Sequence, residues 1–266
     1  MKLKNLLLKN QKLRKNNFLP TGFQRIGDIV ILNLKKQVDS LDTEIAQTIL
    51  DNFPYVKSIW KKSGIKGELR VPEVRHVLGE KRSITIHKEN NCLFKMDISK
   101  VMFSQGNLKE RGRLPEIIKD GEVVIDMFAG IGYFSIPIAK ANPGCKIIAI
   151  EKNPDSVKLL RENCRLNKVN NIEIVESDCR DFCGSADRIL MGYFPGTESF
   201  LEKAFSLLKD DGVVHYHNIY KENELWDKPL KELKEFGKMD ILYKAKVKSY
   251  APKVWHVVID AKKAYF

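Results

Sequence analysis

The sequence lacks an apolar run that could cross a membrane. A membrane-spanning helix needs about 20 consecutive apolar residues, and the chain of 266 residues contains no run of that kind. Its first 20 residues are charged and carry no small-residue cleavage site, so we do not expect a secretory signal. These absences argue against an integral membrane protein and against a secreted one.

Cysteine is also scarce. The five cysteines are odd in number and scattered along the chain, which argues against a disulfide framework and favours a reducing compartment. Cys179 and Cys183 have no second pair of ligands at the spacing of a zinc site. We therefore expect a cytoplasmic protein that binds no metal.

Acidic residues are too few to balance the basic ones. The 46 lysines and arginines exceed the 34 acidic residues and give a formal net charge of +12. Such a charge favours a polyanionic partner, most simply a nucleic acid; a lysine-rich composition without a ligand is the alternative. Residues 1–20 form a basic leader, which is predicted to be either an arm on RNA phosphates or a solvated tail.

Residues 21–95 are predicted to form a small N-terminal α+β domain that contacts RNA. The patterns predict a buried strand within Ile26–Leu32 and a helix capped by Asp42 or Thr43. Two further strands, joined by a short polar turn, predict a hairpin at residues 83–96.

Residues 61–82 are predicted to be a basic loop within this domain. They combine three glycines and Pro72 with several lysines and arginines, and loops of this kind often carry binding residues. Arg70 and Arg75 are the candidate RNA contacts. A solvated loop without a ligand is the alternative.

The run from Glu122 to Glu151 predicts a nucleotide-binding βαβ unit. An apolar strand ends at Asp126, a turn carries Gly130 and Gly132, and a second apolar strand follows a helix and ends at Glu151. The two glycines allow a tight turn whose backbone can approach a ligand closely. An ordinary βαβ unit with a glycine turn is the alternative.

The same run favours S-adenosylmethionine over a dinucleotide. A dinucleotide site needs three glycines that aim a helix N-terminus at a pyrophosphate, and the third glycine is missing here. Asp126 would repel a phosphate but would attract a cationic sulfonium or an amino group. Glu151, at the end of the second strand, could accept hydrogen bonds from both hydroxyls of a ribose.

Residues 96–266 are predicted to form the cofactor-binding domain, in which strands and helices alternate. A helix is expected to begin at Pro154 with Asn153 as its cap. The last two strands are expected to form an antiparallel pair that closes a parallel sheet. The other expected elements are a helix from residue 108, strands at 172–175, 187–191 and 212–216, and helices at 198–208 and 222–236.

Three stretches of this domain resemble the motifs of class I methyltransferase-fold enzymes. They are Val124–Phe134, Glu151–Pro154 and Glu176–Cys179. The resemblance implies an α/β, Rossmann-like class I methyltransferase fold with the smaller α+β domain before it. It also implies S-adenosylmethionine as the cofactor.

Further stretches resemble one tRNA-modifying group within that fold. They are Ile26–Leu32, Thr85–Cys92, Lys100–Ser104, Glu110–Arg113 and Tyr250–Val258. The group contains the archaeal and eukaryotic enzymes that methylate N1 of the guanine 3′ of the anticodon. It also contains their wybutosine-pathway relatives, which transfer the 3-amino-3-carboxypropyl group of S-adenosylmethionine onto the tricyclic base at that position.

Two departures favour the aminocarboxypropyl-transferring branch. The methylating enzymes have Phe-Ser-Pro-Arg where this chain has Phe103–Gly106, and Asn-Leu-Pro where it has Gly192–Pro195. An Asn can hydrogen-bond a guanine edge, whereas an aromatic ring such as that of Tyr193 can stack on a larger tricyclic base.

The resemblance thus implies transfer to C7 of 4-demethylwyosine in tRNA-Phe, with release of methylthioadenosine. A tRNA guanine N1-methyltransferase acting on the same nucleotide is one alternative, and a non-catalytic RNA-binding relative is another. The partner is expected to be the anticodon stem-loop of the tRNA, and the protein is expected to act as a monomer.

The same resemblance implies the roles of the site residues. Ser104 and Arg111 would bind the methionine carboxylate, and Glu151 would bind the ribose. Asp178 would accept a hydrogen bond from the adenine amino group, and the backbone N–H of Cys179 would reach a ring nitrogen. Asp126, Phe128 and Gly130 would form the floor of the site, and Tyr193 would stack on the target base. Glu110 is given no role here, and no residue is identified as a general base.

Overall fold

Two compact units make up the protein. The computed structural model describes residues 3–264. Residues up to 89 group with residues 93–105 in the first unit, and residues 90–92 group with those from 106 onward in the second. The domain boundary predicted at residues 95 and 96 thus falls inside the first unit.

The first unit has a four-stranded sheet and a separate strand pair. Its elements are α1 (Leu3–Leu7), β1 (Gln24–Ile26), β2 (Ile29–Leu32), α2 (Asp42–Asn52), β3 (Ser58–Lys66), β4 (Val71–Gly79), β5 (Ile84–Glu89) and β6 (Cys92–Asp97), with a 3₁₀ helix at Lys36–Leu41. The sheet order is β1-β2-β3-β4, and β5 pairs with β6. β2 and β3 are parallel, whereas the outer pairs of the sheet are antiparallel. The buried strand and the hairpin predicted from the sequence are confirmed.

Residues 3–19 are part of the core of this unit. Leu3, Leu7, Leu13 and Leu19 are buried in one cluster with residues of β2, β3 and α2. The many lysines of residues 1–20 predict a basic leader outside the fold; Met1 and Lys2 lie outside the described residues. The spaced leucines give this segment an apolar face, and burial of that face makes it neither a free arm nor a solvated tail.

The basic loop predicted at residues 61–82 is wrong, because most of this segment forms the antiparallel strands β3 and β4. The strands pair from Ser58↔Gly79 to Lys66↔Val71, and only residues 67–70 make the turn. The loop was predicted from the glycines and Pro72 of this segment, but these residues are accommodated within or beside the two strands. Pro72 is tolerated because β4 lies at the edge of the sheet, where a missing N–H donor costs little.

The start of α2 also differs from the prediction. The helix begins at Asp42, whose side chain caps nothing. Its carboxylate instead forms ion pairs with Lys61 and Arg75. The cap prediction was therefore wrong, because two cations compete for this carboxylate.

The second unit is an α/β sheet covered by helices. Its elements are α3 (Leu108–Ile117), β7 (Val123–Asp126), α4 (Ser135–Ala141), β8 (Lys146–Glu151), α5 (Pro154–Asn167), β9 (Ile172–Glu176), β10 (Ala186–Met191), α6 (Leu201–Leu207), β11 (Leu208–Lys221), α7 (Asp227–Lys234), β12 (Met239–Ala251) and β13 (Val254–Lys263). The sheet order is β12-β13-β11-β10-β7-β8-β9. The neighbouring strands from β11 to β9 in this order are parallel. β13 is antiparallel to both of its neighbours, β11 and β12.

Several predictions for this unit are confirmed. The Asn153 side chain accepts from the N–H of Asp155, 3.0 Å away, so α5 begins at Pro154 with the expected cap. The antiparallel pair closes the parallel sheet as expected. Apolar residues of β7, β10, β11 and β13 fill a common core on one side of the sheet, including Ile125, Ile189 and Ile259.

Two elements near the C-terminal half differ from the prediction. β11 extends to Lys221, because residues 217–221 pair with β13 although several of them are polar. The helix predicted at 222–236 is limited to α7, which begins at Asp227 and so leaves Pro229 in its first turn, where proline is tolerated. Among residues 3–264, no helix combines the length and the apolar character that a membrane crossing requires.

Candidate functional site

Acidic side chains lie where three parallel strands end. Asp126 is the last residue of β7, Glu151 is the last residue of β8, and Asp178 follows the end of β9. β8 and β9 lie on one side of β7, and β10 lies on the other. Such a reversal of strand order is the switch point at which open α/β sheets bind ligands. This edge of the sheet is the candidate site.

The glycine turn after β7 brings the backbone close to the site. Gly130 and Gly132 have φ values of +56° and +97°, a region that favours glycine. A Cβ atom on Gly132 would lie 2.6 Å from Cδ1 of Ile136 and 2.8 Å from Cδ1 of Leu160. The tight turn predicted from the two glycines is therefore present.

The Glu151 carboxylate is held by two backbone donors. The N–H of Gly130 donates to Oε2 and the N–H of Asn153 donates to Oε1, each at 2.8 Å. Burial raises the pKa of Glu151, and the backbone hydrogen bonds partly offset this effect. Each oxygen keeps a lone pair, so the side chain is fixed in position and can still accept from two hydroxyl groups.

Asp126 is fully buried and is held by neutral donors. The hydroxyl of Ser135 donates to Oδ2 at 2.7 Å, and the N–H of Phe128 donates to Oδ1 at 3.4 Å. Burial raises the pKa of Asp126 to about 6, and repulsion from Glu151 adds to this rise. A cation placed beside this carboxylate would favour its charged form.

Asp178 differs from these two acids because cations compensate its charge. Its carboxylate accepts from Nε and Nη2 of Arg180 at 2.9 and 2.6 Å, and Nζ of Lys152 lies 3.5 Å away. The hydrogen bonds from Arg180 hold the pKa of Asp178 well below its usual range. The thiol of Cys179 is buried, which raises its pKa to about 12. The thiol of Cys179 is therefore neutral near pH 7, and contact of its backbone N–H with a ring nitrogen stays a prediction.

Three aromatic rings meet beside the acidic edge. Phe128, which follows the end of β7, stacks on Tyr193 with ring centroids 5.2 Å apart. Phe200 packs edge-on against Phe128 at 5.0 Å and against Tyr193 at 6.0 Å. The structure thus brings together the predicted floor residue Phe128 and the predicted base-stacking residue Tyr193.

The loop that carries Tyr193 is anchored by a column of buried rings. Phe194 stacks on His256 at 4.1 Å, His256 faces His217 at 5.3 Å, and His217 faces Phe134 at 5.6 Å. Nδ1 of His217 and Nε2 of His256 are 3.1 Å apart. Burial lowers the pKa of both imidazoles, that of His217 to about 3, so both are neutral near pH 7.

Arg111 is a buried residue of α3 with 2% of its surface exposed. Its guanidinium lies 5.3 Å from the ring centroid of Tyr133, which belongs to the glycine turn. This burial excludes the possibility that Arg111 is only an exposed surface charge. Ser104 belongs to the first unit, and its role on the methionine carboxylate stays a prediction.

The two arginines predicted to contact RNA both lie on the β3–β4 hairpin. Arg70 ends the turn with a φ of +55°. Arg75 is ion-paired with Asp42 of α2, although more than half of its side chain is exposed. Part of its charge is therefore compensated, and the RNA role of both residues stays a prediction.

Glu110 belongs to a buried ion-pair network that supports the sheet. Arg113 pairs with Glu110 at 2.7 Å and with Asp260 at 2.6 Å, and Asp260 accepts from Nδ1 of His215 at 2.7 Å. Burial acts to raise the pKa of Asp260, but hydrogen bonds from His215 and Arg113 outweigh it and lower that pKa. The residues of this network connect α3, β11 and β13.

Three residues around the site were missed by the sequence analysis. Ser135 binds Asp126, Arg180 binds Asp178, and Phe200 completes the aromatic group. The first two are close in sequence to a motif, and that proximity could have pointed to them. Phe200 lies beyond the motifs, and only the folded chain places it here.

The described residues contain neither a metal-ligand cluster nor a disulfide bond. Within residues 3–264, no group of three His, Cys, Asp or Glu residues is arranged to hold a metal ion. None of the five cysteines, all in this part of the chain, forms a disulfide bond.

Family models match both parts of the chain. A model described as the TRM5/TYW2 methyltransferase domain matches residues 85–245. A second, described as the TYW2 N-terminal domain, matches residues 3–82. The match of the second model begins at α1, in agreement with the burial of that segment in the first unit.

Two curated proteins illustrate the similarity in sequence. The chain is 43% identical over 247 residues to a tRNA(Phe) (4-demethylwyosine(37)-C(7)) aminocarboxypropyltransferase of Methanocaldococcus jannaschii, covering 90% of this chain and 97% of that protein. It is 39% identical over 256 residues to the tRNA (guanine(37)-N(1))-methyltransferase Trm5b of Pyrococcus abyssi, covering 94% of this chain and 76% of that protein.

A solved structure shows the similarity in fold. The crystal structure of Pyrococcus horikoshii TYW2 in complex with MeSAdo matches with a TM-score of 0.83 and 38% identity, covering 98% of this chain and 97% of that one. With the family models, this likeness confirms the predicted Rossmann-like class I methyltransferase fold.

Proposed function

This chain belongs to the TRM5/TYW2 family, and from that premise we propose that it transfers the 3-amino-3-carboxypropyl group of S-adenosylmethionine to tRNA. The acceptor is C7 of 4-demethylwyosine at position 37 of tRNA-Phe. The by-product is methylthioadenosine, the nucleoside that remains when the amino-acid arm leaves the sulfur. The M. jannaschii relative is named for this reaction, and the P. horikoshii structure holds MeSAdo.

One feature of the site carries the choice between the two branches of the family. The loop after β10 presents Tyr193 against Phe128, so an aromatic surface stands where the methylating branch has an amide side chain. A stacking surface suits a large tricyclic base, because stacking needs area and no particular hydrogen-bond pattern. Burial of Phe194 on His256 keeps this loop in place.

The acidic edge suits the cofactor. Glu151, fixed by two backbone donors, would bind the ribose hydroxyls, and the buried carboxylate of Asp126 would favour the positive sulfonium. Asp178 would bind the adenine amino group once Arg180 turns aside, and Arg111 would bind the methionine carboxylate as a bidentate donor. When bound, S-adenosylmethionine supplies a carbon activated by the neighbouring sulfonium.

Positioning decides which carbon reacts. Both the methyl and the first carbon of the amino-acid arm are activated, so the residues around the arm control the product by presenting one of them to the base. Such orientation can lower a barrier by about 7–11 kcal/mol in favourable cases. No residue of this chain is given the role of a general base.

The proposal extends to the RNA partner, the cellular location and the oligomeric state. The tRNA would contribute its anticodon stem-loop, whose nucleotide 37 must leave the stack to be modified. Cysteines without disulfide bonds support a reducing cytoplasm. A monomer is the proposed state.

A double-label experiment tests the reaction. The protein is incubated with tRNA-Phe that carries 4-demethylwyosine and with S-adenosylmethionine labelled separately in the methyl and carboxyl carbons. We expect only carboxyl label to enter the RNA and methylthioadenosine to be released. Methyl label in the RNA would establish methyl transfer to the tricyclic base instead, and no label from either position, with this tRNA and with the guanine-37 tRNA, would establish a binding protein.

A tRNA-Phe with an unmodified guanine at position 37 is the matched control. Only the methylating alternative would act on this tRNA, because the C7 acceptor is missing from guanine 37. We expect no transfer of either label, whereas release of adenosylhomocysteine with this tRNA would overturn the proposed function.

A further inference from the structure

Strand β5 of the first unit turns apolar side chains toward solvent. Ile84 and Ile86 are 47% and 52% exposed, whereas Thr85 between them is only 5% exposed. The Thr85 hydroxyl donates to Oδ1 of Asp28 at 2.8 Å, which fixes this orientation. A strand that supported only the core would bury its isoleucines and expose its threonine. Such departures from the usual pattern are expected at functional surfaces.

The two isoleucines line a hollow of about 670 Å³ within the first unit. Residues around this hollow include Arg25, Tyr55, Ile84, Ile86, Lys88 and Lys95. They come from β1, the segment after α2, β5 and β6. The hollow therefore has apolar and aromatic walls and a basic rim.

The aromatic wall is anchored and exposed at the same time. Tyr55 is 45% exposed, and its ring packs edge-on against Phe53 at 5.8 Å, which in turn packs against Phe23 at 5.3 Å. Both phenylalanines pack on the core of the unit. The Arg25 guanidinium lies 4.9 Å from the Tyr55 ring centroid. This arrangement limits the freedom that Tyr55 and Arg25 would lose on binding a ligand.

Two cations at the rim, Arg25 and Lys88, form no ion pair with an acid among the described residues. Among the described residues, no carboxylate lies within 4 Å of the side-chain nitrogens of Arg25 or Lys88, whereas Arg82 is paired with Asp28 and Glu80. Four lysines and arginines line the hollow against one acid, Asp28, so the net charge of its lining is positive. An anionic ligand that also has a flat apolar part would match both the rim and the walls.

We propose that this hollow binds an unpaired nucleotide of the tRNA substrate. Its base would lie against Tyr55 and Ile86, and its phosphates would lie near Arg25 and Lys88. The inference rests on the proposed function in taking tRNA as the partner. It adds a second contact to the RNA, at a place other than the modified nucleotide.

Binding of tRNA to the full-length protein tests this proposal. Tyr55→Ala should weaken tRNA-Phe binding by about 5- to 150-fold, the effect of removing one base–aromatic stack, and Tyr55→Phe should bind like the wild type. Arg25→Gln should reduce the slope of log K against log salt by about 0.7 to 0.9, because one phosphate contact is lost.

A charge control accompanies these variants. Lys146→Gln removes an exposed lysine that pairs with Glu173. Lys146 is the first residue of β8, whereas the acidic edge lies where the parallel strands end. It should leave the salt slope unchanged. Circular dichroism and unchanged methylthioadenosine binding would verify that each variant folds.

Three results would overturn the nucleotide site. They are wild-type affinity of Tyr55→Ala, an equal change of slope in Arg25→Gln and Lys146→Gln, and Tyr55-dependent binding of polyglutamate, which has charge but no base. These tests measure binding without turnover, so their outcome does not depend on whether the protein catalyses the proposed reaction. Tyr55-dependent tRNA binding without transfer of the arm would overturn the proposed function alone, and transfer with a normal Tyr55→Ala variant would overturn the hollow alone.

Discussion

The acidic edge of the second unit and the hollow of the first unit carry charges of opposite sign. At the acidic edge, Asp126 and Glu151 are held by hydroxyl and backbone N–H groups, which are neutral donors. At the hollow, Arg25 and Lys88 have no carboxylate within ion-pair distance among the described residues. A chain of net charge +12 thus keeps a negative site suited to a sulfonium and a positive site suited to phosphates.

Asp178 refines this comparison, because it is the acid of the edge that is paired with a cation. Arg180 and Lys152 compensate it, as expected for a residue proposed to meet the neutral adenine ring and not the sulfonium. The electrostatic difference between the two regions therefore predicts which ligands respond to each substitution.

Removal of Glu151 should break the acidic edge most severely. Glu151→Ala should weaken S-adenosylmethionine binding by about 100-fold or more, since two hydrogen bonds to a charged acceptor contribute about 1.5–3 kcal/mol each. Calorimetry should show a similar loss for methylthioadenosine, because both ligands carry the ribose.

Glu173→Ala is the matched control for this variant. Glu173 is an exposed acid of β9 that pairs with Lys146, and its removal should change neither affinity. If Glu151→Ala bound both ligands normally, the ribose assignment would be wrong.

The pH dependence of cofactor binding should sharpen the comparison further. With a pKa raised to about 6 by burial, Asp126 is mostly ionised at pH 7 and mostly protonated at pH 5. A sulfonium favours the ionised form, so S-adenosylmethionine should bind about tenfold more weakly at pH 5 than at pH 7, by linkage at one proton per site.

Methylthioadenosine separates this effect from that of Glu151. It has no charge on sulfur but shares the ribose, so the ratio of the two affinities isolates Asp126. Asp126→Asn should make the ratio low and independent of pH, with the Ser135 hydroxyl bond retained. A wild-type ratio that stays constant from pH 5 to pH 7 would contradict a role of Asp126 toward the sulfonium.

The sequence was most informative where local rules decide the structure. Asn153 and Pro154 specify the start of α5 by themselves, and Gly132 specifies a turn with a positive φ value that favours glycine. The alternation of strands with helices then limits the second unit to few topologies. For these reasons the acidic strand ends could be predicted from the sequence.

Elements that depend on distant partners could not be predicted in the same way. β3 and β4 contain glycine and proline, and their pairing with each other outweighs those local signals. The leucines of residues 3–19 were hidden among lysines, and only the core that receives them gives them a role. Likewise, Phe200 joins the site through α6 packing and through no motif.

Tyr193 should give the smallest effect, and it compares directly with Tyr55. Both rings are anchored on a phenylalanine, but Tyr193 is proposed to meet the modified base and Tyr55 another nucleotide. Tyr193→Ala should lower kcat/KM by about fivefold, the low end for a lost stack, because Phe128 remains to contact the base. Tyr193→Phe should retain full activity.

The identity of nucleotide 37 distinguishes the two tyrosines. Tyr193→Ala should weaken binding of tRNA with the tricyclic base and leave binding of tRNA with guanine 37 almost unchanged, whereas Tyr55→Ala should weaken both equally. Titration of each variant with the two tRNAs measures this difference. An equal loss for both tRNAs in Tyr193→Ala would mean that Tyr193 supports the loop and does not read the base, which would return the choice between the branches to other residues of Gly192–Pro195.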